Sequence, residues 1–226
     1  MNKMNFSIKT IISLEGNIGV GKSSFMDILK EKLHDHAEFI YEPVEEWLEM
    51  KDENGSNLLE TFYKDKKRWA YTFQNIAYIT RMNKIMNFLV SSPKKLIIMD
   101  RSLSGDLNTF TKMLREDGDM NDMEWQAYNK WNMFFNNYIG TNVEMKHIYL
   151  RSDPSIAFSR IQKRHRDEES SIPFDYIKKL HEYHDKWLLD NNDCLLVQAD
   201  KDFVYDLENK EITYNYVFDK MVSKYI

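Results

Sequence analysis

Five short apolar runs punctuate the chain, at residues 11–14, 39–41, 96–99, 147–150 and 195–197. Each is near-continuous rather than alternating, the pattern of strands buried on both faces of a parallel sheet. Between them the period changes. Phe25, Ile28, Leu29 and Leu33 recur at helical spacing, and so do Trp69, Phe73, Ile76 and Thr80. A third helical pattern carries Trp125, Tyr128, Trp131, Phe134, Phe135 and Tyr138, and its spacing predicts that most of these aromatics are core. Alternating strand and helix predicts a three-layer α/β fold: a five-stranded parallel sheet flanked by helices, with right-handed crossovers. Ligands in such folds bind beyond the carboxyl ends of the strands.

Composition narrows the function class. With 42% apolar and 30% charged residues the chain is globular, and 226 residues fit one domain, 1–226. A net charge of −5 argues against a global grip on nucleic acid. The single cysteine, Cys194, leaves no disulfide within the chain and fits a reducing compartment. No apolar run approaches a membrane span, and residues 1–10 lack a signal-peptide core. The first arginine is Arg68, so an Arg-rich presequence is not expected either; the expected location is cytoplasmic, without a membrane partner.

The chemistry starts after the first strand, at Gly16-Asn17-Ile18-Gly19-Val20-Gly21-Lys22-Ser23. This is a G-x-x-x-x-G-K-S phosphate loop, with the strand before it and the amphipathic helix after it that the motif requires. Backbone N–H groups and the helix N-terminus would cradle phosphates. The expected ATP-binding set is Gly16, Asn17, Gly19, Gly21, Lys22, Ser23 and Ser24, with Lys22 on the terminal phosphates and Ser23 on a magnesium ion. A tight glycine turn without a ligand is the bland alternative.

Two acids stand at strand ends on the same edge, in Glu42-Pro43-Val44 and Asp100-Arg101-Ser102. A carboxylate beside a hydroxyl acceptor can take its proton, which suits Glu42. Asp100 follows four apolar residues, as a magnesium-binding acid does, and Arg101 could bridge acceptor oxygen and phosphoryl group. Either acid could instead cap the next helix. Gln74, Ala77 and Arg81 share one helix face. Read alone, Gln74 and Arg81 would form an ordinary solvated face. The basic run from Arg160 to Arg166 alone would offset a helix dipole. His147, His181 and His184 form no convincing metal set and read as structural.

These ordered motifs, from Ile11 to about Phe203, resemble the deoxyribonucleoside kinase family, which includes deoxycytidine and deoxyguanosine kinases and bacterial deoxyadenosine kinases. The marks are the phosphate loop, Glu42-Pro43-Val44 with Trp47, Asn57-Leu58 through Tyr63, Arg68-Trp69 to Phe73-Gln74, Asp100-Arg101-Ser102, and Arg160 to Glu169. The resemblance implies a P-loop kinase fold with a small arginine-rich lid at about 160–172. It also implies phosphoryl transfer from ATP or another nucleoside triphosphate, with Mg2+, to a deoxynucleoside 5′-hydroxyl, and a homodimer to which part of the aromatic run contributes.

By the same resemblance Glu42 is the general base, Lys22 and Arg101 are catalytic, and Ser23 and Asp100 hold the metal. Gln74 pairs with the base edge, Tyr63 and Glu169 hold the sugar 3′-hydroxyl, and Phe110 stacks on the base. Val44, Trp47, Leu59, Phe62, Phe73 and Ala77 complete the nucleoside pocket. Arg160, Arg164 and Arg166 close over the donor phosphates, and Asp202-Phe203 meets the donor base. Arg81 with Asp106 implies deoxycytidine or a purine deoxynucleoside rather than thymidine. The physics agrees, since a carboxylate accepts from an exocyclic amine and faces a keto oxygen unfavourably.

Two residues depart from the commonest family pattern: Asp100 stands for Glu, and His165 for the glycine between two lid arginines. The competing readings are a nucleoside monophosphate kinase of the thymidylate kinase type and a non-catalytic structural relative.

Overall fold

This computed structural model describes residues 9–139, 143–166, 169, 172–203 and 205–226. Its centre is a sheet of five parallel strands: β1 (Lys9–Glu15), β2 (Ala37–Ile40), β3 (Leu96–Asp100), β4 (Val143–Arg151) and β5 (Cys194–Gln198). They lie in the order β2-β3-β1-β4-β5. Each of the five expected runs falls on one of these strands, with bounds that differ by a few residues. β2 ends at Ile40, one residue before the apolar run does. β4 starts four residues early, because Val143-Glu144-Met145-Lys146 alternates and is only half-buried while His147 to Leu150 is buried. Every residue of β1 and β3 is buried, as interior strands require.

The two-residue period of the strands divides the core. Ile12, Leu14, Leu96, Ile98, Ile148 and Leu150 point to one face, packed under α1 (Lys22–Leu33), α8 (Pro154–Arg164), α9 (Phe174–Leu188) and α10 (Leu207–Lys220). Ile11, Ile97 and Met99 point to the other, under α4 (Lys66–Ser91) and α7 (Asp122–Ile139). Each fully buried Ile or Leu contributes about 1.5–3 kcal/mol. A smaller apolar group joins α2 (Val44–Glu49) and α3 (Leu58–Lys64) to α4 through Trp47, Leu59, Phe62, Phe73 and Ala77. After β3 the chain continues as α5 (Leu103–Gly105), a π-helical stretch Asp106–Thr111 and α6 (Lys112–Glu116).

Two helix faces differ from expectation. On α4 the Trp69, Phe73, Ile76, Thr80 stripe lies at the margin of the buried surface, with only Phe73 buried. The deep face instead carries Ala70, Gln74, Ala77, Tyr78, Arg81, Met82 and Ile85. The expectation for α7 is corrected more strongly. Tyr128 is 1% exposed, but Trp131, Phe134 and Tyr138 are 49%, 58% and 54% exposed. The cause is geometric. Three-residue steps turn about 300°, so the run 125-128-131-134 precesses about 60° per step away from the core. The buried stripe is Tyr128, Asn132 and Ile139.

The arginine-rich lid expected at about 160–172 is not shown, and residues 167, 168, 170 and 171 lie outside the described residues. Among the described residues no helix is long and apolar enough to cross a membrane.

Candidate active site

The phosphate loop leaves β1 at the centre of the sheet, and Gly16, Gly19 and Gly21 all take positive φ. Gly19 shows why no side chain fits: a Cβ there would lie 2.3 Å from the Ala157 carbonyl oxygen in α8. Gly21 ends the loop, and α1 begins at Lys22 with no side-chain cap, leaving its first N–H groups open toward the cavity. The Lys22 ammonium donates to the carbonyls of Gly16 (3.1 Å) and Asn17 (2.8 Å). Burial, reinforced by Arg101, lowers its pKa to about 8. The Ser23 hydroxyl donates to Asp100 Oδ2 at 3.1 Å, and the other oxygen of Asp100 is buried with no hydrogen-bond partner among the described residues. Burial raises the pKa of Asp100.

Across the cavity Glu42, just past β2, stands among cations. Arg81 pairs with it, and Arg101 Nε lies 3.4 Å from the same oxygen. Burial would raise its pKa, but Arg81, Arg101 and Lys22 together prevail and hold it at about 2. Arg81 spans two acids. One Nη meets Glu42 and the other meets Asp106 on the π-helical stretch. Arg81 and Asp106 are each 2% exposed. Burial lifts Asp106 to about 6 despite that partner. The solvated-face alternative for Gln74 and Arg81 therefore fails: both are buried, and both line the cavity.

The remaining walls come from separate elements. Trp47 Nε1 donates to Thr80 (3.1 Å), and Phe73 lies between Trp47 and Phe62. Val44, Leu59, Tyr63 and Ala77 complete that side. The Arg101 guanidinium sits 4.4 Å from the centre of the Phe110 ring. Glu169 faces the cavity and pairs with Arg164 (Nε at 2.8 Å) and Arg166 (3.7 Å), both of which also line it. Ser24 reaches the same space.

Four expected donor-site side chains stand apart from this cavity. The Asn17 amide turns away, donating to the Ile177 carbonyl at 2.7 Å. Arg160 is absorbed by backbone carbonyls, those of Val20 (3.4 Å), Ala199 (2.8 Å), Asp200 (2.8 Å) and Lys201 (3.0 Å). Phe203 packs on Phe25, 5.2 Å between ring centres. Asp202 accepts from the Tyr205 N–H at 2.9 Å. Together Arg160 and 199–203 tie α8 to the phosphate loop.

Sequence reasoning missed Tyr176, which lines the cavity from α9, and Thr111, whose buried hydroxyl donates to Gln74 Oε1 at 3.1 Å. Tyr176 had no motif around it. Thr111 follows Phe110 directly, but only the π-helical turn brings its hydroxyl to Gln74.

The histidines read as structural have local partners. His147 bonds Ser13 (2.8 Å), His181 contacts Arg151 (3.2 Å), and His184 contacts the Leu180 carbonyl (2.7 Å).

A phosphate cradle faces a carboxylate-lined pocket, and a family model described as deoxynucleoside kinase matches residues 12–225. The chain belongs to the deoxynucleoside kinase family. The probable deoxycytidine kinase of fowlpox virus is 34% identical over 221 residues, covering 95% of this chain and 89% of its own length. Human deoxycytidine kinase is 36% identical, covering 79% of this chain and 75% of its own. The mitochondrial deoxyguanosine kinase of Xenopus laevis is 32% identical, with coverages of 85% and 82%. As a deoxynucleoside kinase the chain is a phosphotransferase that uses ATP-type phosphoryl donors. These relatives are nucleoside kinases by name and lend no support to the monophosphate kinase or non-catalytic readings.

Proposed function

We propose that this chain moves the γ-phosphoryl group of ATP, or of another nucleoside triphosphate, to the 5′-hydroxyl of deoxycytidine, deoxyadenosine or deoxyguanosine, with thymidine a poor acceptor. The observation that carries the reading is Glu42. Its carboxylate faces the phosphate loop across one cavity and, held at about pKa 2, stays ionised at neutral pH. It is a proton acceptor too weak to ionise a free alcohol, so it orients the hydroxyl and takes the proton late, as the new O–P bond forms and the bond to the leaving diphosphate breaks. Arg101, 3.4 Å from Glu42 and beside the loop, offsets charge on the transferring group. Lys22 would exchange its loop carbonyls for phosphate oxygens.

The donor set of Ser23 and Asp100 fits magnesium: hard oxygen ligands, one of them buried without a hydrogen-bond partner among the described residues. When bound, the ion would neutralise phosphate charge. No cluster of three His, Cys, Asp or Glu side chains able to hold a metal exists among the described residues, so triphosphate and water would supply its other ligands.

Gln74, Arg81 and Asp106 would read the base edge, with Phe110 against its face. Tyr63 and Glu169 would hold the 3′-hydroxyl, releasing Arg164 toward the phosphates as part of a lid at about 160–172. Arg160 and Arg166 would close over the donor phosphates with it, Asp202 and Phe203 would border the donor base, and the whole of 1–226 would work as one kinase domain in the cytoplasm.

The exposed Trp131, Phe134 and Tyr138 of α7, with Ile79 of α4 at 47%, support a homodimer through these helices. Sedimentation equilibrium at micromolar concentration should return twice the 27.2 kDa chain mass.

Assaying the four deoxynucleosides with labelled ATP tests the specificity. Thymidine as best substrate would defeat it. Asp106→Ala should shift relative kcat/KM toward thymidine.

A further inference from the structure

Arg101 has φ 66, in the left-handed region that residues with a Cβ rarely adopt. Two hydrogen bonds from the central strand clamp it there. Its own N–H donates to the Leu14 carbonyl at 3.0 Å. The next N–H, that of Ser102, donates to Glu15 Oε1 at 2.9 Å. Leu14 and Glu15 are consecutive, and Glu15 immediately precedes the phosphate loop. One dipeptide of β1 therefore holds both N–H groups that bracket the strained residue.

Glu15 is an expensive choice for this task. It is fully buried, and its second oxygen has no hydrogen-bond partner among the described residues. His147 Nδ1 lies 3.8 Å from Oε1 but bonds Ser13 instead, at 2.8 Å. The facing helix makes room for the carboxyl group. A Cβ on Gly105 would lie 2.4 Å from Glu15 Oε2 and 3.2 Å from Arg101 Cγ. Glycine at 105 thus lets Glu15 reach Ser102 and lets the Arg101 side chain pass.

The backbone twist aims the arginine. Arg101 Nη1 donates to the Gly16 carbonyl at 3.3 Å while Nε lies 3.4 Å from Glu42. An ordinary right-handed or extended backbone at 101 would turn the side chain out of that bridge.

We infer that Glu15 is a positioning residue for phosphoryl transfer: by fixing the Ser102 N–H it locks Arg101 in the left-handed form that joins the phosphate loop to Glu42. The inference rests on the part proposed above for Arg101. Glu15 itself does not reach the cavity.

A double-mutant cycle tests it, with E15L removing the acceptor and E15Q keeping its shape and one weaker acceptor oxygen. Misplacing a reacting group by about 1 Å costs on the order of a hundredfold, so E15L should lower kcat roughly 10–100-fold, with nucleoside KM within about twofold. E15Q should recover most of that and sit about threefold below the parent, since a neutral acceptor bonds more weakly. In an R101A background neither change should lower kcat further. An equal loss in both backgrounds overturns the inference, and so does an unchanged kcat in E15L. Should E15L fail to fold, E15Q decides alone: its threefold loss must be present with Arg101 and absent without it. R101A with full kcat would instead remove the reading of Arg101 on which the inference stands.

Discussion

The two halves proposed for the cavity, donor and acceptor, are built in opposite ways. Apart from the arginines and the Asp202-Phe203 segment proposed to close on it, the donor half is one contiguous stretch, 16–24, that works mostly through backbone. Its one buried cation, Lys22, rests on carbonyls of its own loop. The acceptor half takes Glu42, Trp47, Tyr63, Gln74, Arg81, Asp106 and Phe110 from separate elements. It holds a chain of charges that runs from buried Asp106 and Arg81 to half-buried Glu42. Backbone N–H groups recognise phosphate whatever base it carries, whereas buried side-chain charges discriminate and are costly when mispaired. Changes to the donor half should therefore act through the triphosphate, on its affinity and its transfer, and leave base specificity unchanged. Changes to the acceptor half should alter turnover, specificity and stability together.

The largest effect expected is at Glu42. Glu42→Gln keeps the shape and removes the proton acceptor, so kcat should fall about 10²–10⁴-fold, the range of a general base. ATP affinity, set across the cavity, should stay within about twofold by titration calorimetry. Loss of ATP binding in this variant would break the separation of the halves.

Next comes Arg81→Met, which strips Asp106 of its opposite charge while filling similar space. Breaking a buried pair from one side costs about 3–5 kcal/mol, readable by urea unfolding at pH 7.5. The pH dependence fixes the cause. Asp106 already has a folded pKa near 6 against an ordinary 3.8, so the parent should lose stability as pH rises from about 4 to 6. Without Arg81 that pKa moves higher, and the loss should continue above pH 6. Below pH 4, with Asp106 protonated in folded and unfolded chains alike, this penalty vanishes. A deficit independent of pH would assign it to packing instead.

The same contrast explains what the sequence could disclose. The strands were legible because buried parallel strands need unbroken apolar runs, and the loop because its glycines and Lys22 are adjacent. Glu42 and Asp100 were legible from their places at strand ends. The resemblance already paired Arg81 with Asp106, but the second arm of the bridge was not legible, because Glu42 lies 39 positions away and only the packing of α4 brings it to Arg81. Thr111 was hidden by a π-helical turn. The aromatics of α7 misled, because three-residue spacing resembles a core stripe while precessing out of it. Arg160 shows another limit, since composition identifies a guanidinium but not the four carbonyls that occupy it.

On the donor side the sharper test is Lys22. With a free-state pKa of about 8, it is charged at pH 7 and largely neutral at pH 9. Phosphate favours the charged form, so ATP binding should draw a proton above pH 8, and affinity should weaken up to about tenfold per pH unit there. Calorimetry in buffers of different ionisation enthalpy would count the proton. Lys22→Arg should flatten the profile, because a guanidinium stays charged throughout. An equally steep profile in that variant would move the titration to another group.

The smallest effect lies where the halves meet, at the end of α8. His165 ends that helix with φ 46, between Arg164 and Arg166, where the family commonly has glycine. A left-handed residue with a Cβ costs about 1–2 kcal/mol, of which glycine's extra freedom in the unfolded chain cancels about 0.4–1. His165→Gly should therefore gain about half a kcal/mol, or a Tm rise of roughly 1–2 °C by calorimetry. Arg164 and Arg166 are untouched, so kcat should stay within about twofold. His165→Ala keeps the strained φ and should not raise Tm. A rise with alanine as large as with glycine would mean that the imidazole, rather than the backbone turn, is the source of the cost.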